Sequence, residues 1–277
     1  MIDARRNIGV ELDHRSLLLQ DYALINPLQV SPRCYQDLEA VCLVPKGLER
    51  HRRLMPLLIA LKPLTVEKRI ELLSRSDFWM RDHDMPLFSA LLQSDENLEI
   101  VKNRLVRNMV LPRPGGRSYW VRYHDPRVFR HLCWLLDTTA LRNLMCMVKA
   151  WTWYDPDTRI WQVVLRPEFD AVPQYRLRFS ADQWEATDQF ELLNRVLRQL
   201  AADGEGGGQV LARTLLSGLL QAKRRGLTDA DDVMLFAKQC WRFGLDWHNR
   251  SEAKRCIDLA RERKSTYYSA CVELGLQ

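Results

Sequence analysis

Two His-Asp pairs are the residues of this sequence most readily linked to catalysis, namely His83-Asp84 and His124-Asp125. In metal-dependent phosphohydrolases such a pair binds two metal ions together with further histidines on helices. The chain has only six histidines, and Asp125 precedes a proline, where an aspartate has the chemistry of a helix cap. We therefore favour structural roles for both pairs. A metal-dependent hydrolase that uses His83, His124 and nearby acids is the alternative.

Other catalytic patterns are weaker. The sequence has no G-x-S-x-G elbow for a serine nucleophile, and neither Cys34 nor Cys42 has a base pattern beside it. The glycine-rich run 204–208 is followed by Gln209 instead of the Gly-Lys-Ser/Thr of a phosphate loop. We interpret this run as a connection between helices.

The formal charge of +6 bears on nucleic-acid binding. Residues 1–170 contain 25 Lys/Arg against 21 Asp/Glu, and residues 171–277 contain 16 against 14. Two short basic clusters occur at 50–53 and 223–225, and the second fits a helix C-terminus, where the helix dipole favours cations. An excess spread so thinly argues against nucleic acid as a ligand. A nucleic-acid-binding regulator is kept as a further alternative.

Three of the nine tryptophans, Trp151, Trp153 and Trp161, fall on one predicted β-hairpin around residues 155–158. Core packing is the favoured interpretation. The alternative is a recognition surface, because tryptophan supplies a large rigid contact area. Strands this aromatic could also offer an edge to which a partner adds a strand.

The elements that would position these residues centre on residues 115–130. A glycine pair is followed by period-two alternation, which predicts a strand through His124. One predicted face holds Tyr119, Val121 and Tyr123, and the other holds Trp120, Arg122 and His124. Arg122 could therefore stack on Trp120 or form an ion pair, with direct partner contact as the alternative. Asp125 is the predicted N-cap and Pro126 the first residue of a helix that buries Val128, Leu132 and Leu135.

This segment resembles the signature of the type VI secretion effector-adaptor family, which reads approximately Phe/Trp-Arg-Tyr/Phe-Tyr-Asp-Pro-Arg-Val-Leu. Val121 and His124 depart from that pattern. The resemblance implies a non-enzymatic adaptor or chaperone, without cofactor or metal, that binds a cognate toxic effector and delivers it to the VgrG spike. It implies neither nucleic-acid binding nor membrane insertion. The candidate partner-binding residues are Trp120, Arg122, Tyr123, Asp125, Arg127, Trp151, Trp153 and Trp161.

Strands alternating with helices over residues 1–170 predict an α/β (α+β) lobe with a mixed sheet flanked by helices. The predicted strands are 22–27, 41–44, 54–61, 86–92, the strand through His124 and the tryptophan hairpin. Helices are predicted to begin near Thr65, Ser94, Asp125 and Asp137.

Residues 171–277 are predicted to form an all-α C-terminal lobe that follows a linker near 166–180. Ser180 and Gln183 form a predicted capping box for a helix that buries Phe190, Leu193, Leu197 and Leu200. Further helices are predicted at 209–224, 228–243 and 251–263. The resemblance implies the same division into two lobes.

The sequence predicts a cytoplasmic location. None of the seven cysteines forms a C-x-x-C pair, which fits reduced thiols. Residues 1–6 lead into a mixed polar segment, and the longest apolar run, 54–61, is too short to cross a bilayer.

Overall fold

The computed structural model describes residues 8–9, 14–156, 158–168, 177–205 and 207–276. The chain divides into two compact units, Met1–Phe179 and Ser180–Gln277. The first carries the sheet with its helices and the second is helical, so the predicted fold class is confirmed. Most of the predicted linker falls at 169–176 and lies outside the described residues.

The first unit is built on a seven-stranded sheet, and a separate two-stranded sheet lies within the same unit. The strands of the large sheet are β1 (Ile8–Gly9), β2 (Tyr22–Ile25), β3 (Ala40–Cys42), β4 (Leu57–Ala60), β5 (Ala90–Gln93), β8 (Ala150–Asp155) and β9 (Ile160–Leu165). The small sheet pairs β6 (Val110–Pro112) with β7 (Ser118–Trp120). The order of strands in the large sheet is β1-β9-β8-β5-β2-β4-β3.

Every strand pairing that the structure describes is antiparallel, where we had expected a mixed sheet. The reason is the position of β2, whose Leu24 pairs with Leu58 of β4 on one side and with Ala90 of β5 on the other. The helical crossover from β4 to β5 therefore joins two strands that run in the same direction but are not neighbours. Alternation of strands and helices in the sequence does not reveal such an inserted strand.

The helices of the first unit are α1 (His14–Leu18), α2 (Val66–His83), α3 (Leu98–Met109), α4 (Pro126–Leu135) and α5 (Thr138–Met145). Thr65, Asp125 and Asp137 cap α2, α4 and α5 as predicted. The cap of α3 is Asn97, which accepts a hydrogen bond from the backbone N–H of Ile100, so this helix begins later than the predicted start near Ser94.

Helix α2 packs one side against the sheet and exposes the other. Val66 and Ile70 are exposed, whereas Leu72 and Leu73 belong to the core formed with β2, β4 and β5. On α4, Phe129, Leu132 and Cys133 are buried, while Val128 and Leu135 are half-buried.

The second unit contains six α-helices within its described residues: α6 (Ala181–Thr187), α7 (Phe190–Ala202), α8 (Gln209–Arg224), α9 (Ala230–Phe243), α10 (Ser251–Arg261) and α11 (Tyr267–Glu273). The Ser180–Gln183 capping box is confirmed, but the helix that it begins breaks at Asp188–Gln189 before α7 starts. The four predicted apolar positions of α7 are buried. Among the helices that the structure describes, none combines the length and apolarity needed to cross a membrane.

Candidate partner-binding site

The segment after β7 is a turn, so the prediction of a strand through His124 was wrong. The backbone N–H of Asp125 donates to the carbonyl of Arg122 at 2.9 Å, which closes the turn. The Tyr123 hydroxyl donates to the carbonyl of Leu105 at 2.8 Å and fixes the turn to α3. Val121, Tyr123 and His124 are all buried, so burial here follows the tertiary contacts and not a period of two.

Asp125 is the centre of this turn. Its buried carboxylate accepts the capping hydrogen bond from the backbone N–H of Arg127 at 3.0 Å, and the Arg127 side chain donates to both carboxylate oxygens, at 3.0 and 2.7 Å. The Arg122 guanidinium lies 3.5 Å away on the same carboxylate. Burial alone would raise the pKa of Asp125, but the Arg127 hydrogen bonds and the two positive charges outweigh it and lower that pKa. Asp125 therefore stays ionised at neutral pH and holds two arginines in place.

Trp120, Arg122 and His124 form a stack beside the carboxylate. The Arg122 guanidinium lies 5.7 Å from the Trp120 ring, and the Trp120 and His124 rings stack at 6.2 Å. Burial lowers the pKa of His124 to about 4, against the attraction of Asp125, so its imidazole is neutral at neutral pH. The expected stack and ion pair of Arg122 are thus both present.

The residues of both His-Asp pairs contact other side chains of the first unit. His83 is exposed at the end of α2 with its ring 3.7 Å from that of Trp79, and Asp84 adopts the left-handed conformation that ends α2 and pairs with Arg159 at 2.8 Å. Within the described ranges, three or more His, Cys, Asp or Glu side chains that could hold a metal ion do not come together. The hydrolase alternative therefore has no ligand set in that part of the chain.

The hairpin tryptophans are core residues, which corrects the alternative of a recognition surface at these positions. Trp151 and Trp153 are each 1% exposed, and Trp161 is 9% exposed. The Phe129 ring of α4 stacks on Trp151 at 4.5 Å and meets Trp153 edge-on at 5.2 Å. The outer strand of the hairpin also pairs with β1, so its edge is occupied at Gln162 and Val163. Trp151 and Trp153 therefore pack against α4, whereas Trp161 lies opposite Tyr154 on the other face of the sheet, in the core cluster that contains Leu72 and Leu73 of α2.

A cavity of about 160 Å³ lies next to the turn. Its wall includes the start of α4 (Asp125, Pro126 and Arg127), the segment after β2 (Asn26, Gln29 and Val30), the segment after α2 (Asp84, Met85, Pro86 and Leu87) with Ser89, and the end of the hairpin (Tyr154 and Pro156). An apolar cavity of about 150 Å³ can hold a benzene-sized group, so this one has room for a single side chain of a partner. Sequence reasoning missed Asn26, Met85 and Tyr154 because only the fold brings them beside Asp125.

No curated protein and no solved structure matches this chain. A family model does match: residues 22–143 correspond to a family described as a domain of unknown function (DUF4123). The matched region starts at the first residue of β2 and ends within α5. It therefore encloses the whole turn from Trp120 to Arg127, and this part of the chain is similar to that family.

Proposed function

We propose that the protein is a non-enzymatic adaptor of type VI secretion, which binds a cognate effector in the cytoplasm of the producing cell and loads it onto the VgrG spike. The observation that carries this proposal is the family match over residues 22–143. That family is generally linked to type VI secretion effector adaptors. The Asp125 turn, on which the resemblance in sequence rested, lies inside the matched region.

The geometry of the turn supports a role in binding a partner protein. The side chains of Arg122 and Arg127 remain 39% and 45% exposed although the carboxylate between them is buried. Arginines held in this way lose less side-chain entropy when a partner arrives, and arginine is enriched among residues that dominate interface energies. The adjoining cavity would accept an apolar side chain, while the arginines pair with polar groups at its rim.

The candidate residues fall into two groups by exposure. Trp120, Arg122 and Arg127 are accessible enough to touch a partner. The other members are buried and cannot touch a partner directly; these are Tyr123, Asp125, Trp151, Trp153 and Trp161.

The helical unit would tune partner choice in this proposal. It exposes large apolar side chains at and just beyond the end of α9, namely Trp241, Phe243 and Leu245. Such side chains can add contact area for a second surface of the effector or for the spike.

The test is affinity capture with the full tagged chain and with its Arg127→Ala variant. The variant Lys254→Ala, on the exposed side of α10, serves as the control. We expect the intact chain and the Lys254 variant to recover a toxin-like protein together with a spike protein. The Arg127 variant should recover about tenfold less, as expected for loss of one well-placed interface arginine. Equal recovery by a folded Arg127 variant would remove the turn from the binding surface. Recovery of neither protein by the intact chain, with metal bound to the purified sample, would favour the hydrolase.

A further inference from the structure

Two buried cysteines of the helical unit lie side by side. Cys256 on α10 and Cys271 on α11 are both 0% exposed, and a hydrogen bond joins their side chains. The sulfur of Cys271 also lies 3.6 Å from the amide nitrogen of Gln239 on α9. The two thiols therefore occupy one place in the interior of the unit, where three helices meet.

Helix α11 is held in place at its start. The Asp232 carboxylate of α9 accepts hydrogen bonds from the backbone N–H groups of Tyr267 and Tyr268, at 3.0 and 2.9 Å. The buried Tyr267 hydroxyl donates to Gln239 at 2.6 Å. Cys271 lies one turn further along the same buried side of α11. These bonds therefore fix the position from which its thiol meets Cys256.

This arrangement meets the geometric condition for a disulfide. Two cysteines whose side chains point apart cannot be bridged without movement of the backbone. Cys256 and Cys271 point towards each other, since a hydrogen bond joins their side chains. A covalent bond between them would close the loop of residues 256–271 and join α10 to α11.

We infer that Cys256 and Cys271 form a disulfide when the protein meets a disulfide oxidant, and that this bond locks α11 onto α10. One cysteine loses its proton, and its thiolate attacks the oxidant to form a mixed disulfide and release one thiolate. The other cysteine loses its proton in turn and displaces the second half of the oxidant. The protein thus gives up two electrons and two protons, and the oxidant is reduced to two thiols.

The oxidation state of this pair follows the compartment, and its exchange is slow. Burial and, after it, the neighbouring Cys271 raise the pKa of Cys256, so little of its thiolate is present at neutral pH. A reducing cytoplasm keeps both thiols free, whereas an oxidising compartment allows the bond to form. The helical unit therefore has two covalent states, whatever partner the protein binds.

Peptide mapping of the full chain tests the bond. The folded protein is equilibrated at pH 8 with oxidised and reduced glutathione, the remaining thiols are alkylated, and the chain is cleaved with trypsin. Cys256 and Cys271 then fall on separate peptides, 256–261 and 265–277, so a linked pair of peptides identifies the disulfide. We expect about tenfold more of this pair than from the chain unfolded in denaturant, because the fold holds the thiols together whereas a free loop must first close.

Thermal unfolding of the oxidised chain is the second measurement. The bond should raise the melting temperature of the helical unit by about 10 °C, because it constrains the unfolded state. Cys256→Ala should abolish this rise. The control Cys34→Ala, which removes a half-buried thiol of the first unit, should retain it.

Four results would overturn the inference. Three come from the peptide map: free thiols at both positions, glutathione on either cysteine without a linked pair, or an equal yield of the linked pair from the unfolded chain. The fourth is an oxidised chain whose melting temperature does not rise. The map needs only the intact chain, so it decides the question even where Cys256→Ala does not fold.

Discussion

The turn at Asp125 makes a quantitative prediction about stability. Replacing Asp125 with alanine removes the N-cap of α4 and the acceptor that holds the Arg127 side chain. Loss of a cap costs about 1 kcal/mol. Because both arginines are roughly half exposed, loss of their pairing adds only about 1 kcal/mol. We therefore expect Asp125→Ala to lower the free energy of unfolding by about 2 kcal/mol, or the melting temperature by about 4–8 °C for a unit of this size.

Two further variants separate the cap from the charge. Asp125→Asn keeps an oxygen that can cap the helix but loses the charge, so it should cost about 1 kcal/mol. Asp137→Ala removes the cap of α5, where the Asp137 side chain accepts from the backbone N–H of Ala140 at 2.8 Å. It should also cost about 1 kcal/mol. Thermal unfolding followed by circular dichroism measures all three variants.

The contribution of the Asp125 charge to the free energy of unfolding depends on pH in a definite direction. The pKa of Asp125 is lower in the folded protein than its ordinary value, so its charge contributes fully above about pH 4 and is lost as the pH falls through the folded-state pKa. The difference between the intact chain and Asp125→Asn should therefore shrink in acid. Two results would refute a stabilising role for the pairing of Asp125 with Arg122 and Arg127. One is that Asp125→Ala costs no more than Asp137→Ala at neutral pH, and the other is that the difference between the intact chain and Asp125→Asn grows in acid.

Three further predictions concern the helical unit. Gly218→Ala should destabilise this unit by roughly 1–3 kcal/mol in thermal unfolding, because a Cβ there would lie 2.8 Å from the Cα of Ala237. The control Ser217→Ala should change the stability little. Equal stability of the two variants would contradict the close packing of α8 on α9. Tyr267→Phe should cost about 1–2 kcal/mol, since the buried hydroxyl donates to Gln239 at 2.6 Å, while Tyr268→Phe at a half-exposed position serves as the neutral control. Burial raises the pKa of Cys240 to about 12, so a thiol reagent at pH 8 should label it only on unfolding; rapid labelling of the native protein, read by mass spectrometry, would show that the site opens.

Local chemistry explains what the sequence alone could predict. Thr65, Asp125, Asp137 and the Ser180–Gln183 box each begin a helix where expected, because a cap depends on side chains within three residues of the helix start. The arrangement of Arg122 beside Asp125 and Trp120 was also predictable, since all three lie within one short segment.

The features that the sequence did not predict depend on contacts between residues far apart in the chain. Tyr123 leaves the strand because its hydroxyl binds the carbonyl of Leu105, and no spacing rule signals that contact. The tryptophans on β8 are buried because Phe129 of α4 covers them. The cavity joins Asn26, Asp84 and Tyr154 to Asp125 across long sequence separations.

The central claim is that this chain binds an effector and a spike protein of the same secretion apparatus. Affinity capture of the full tagged chain from the cytoplasm of cells that encode it, with mass spectrometry of the recovered proteins, tests that claim most directly. The account predicts a toxin-like protein and a VgrG-like spike protein together, with recovery reduced by Arg127→Ala and not by Lys254→Ala. Recovery of neither protein would contradict it.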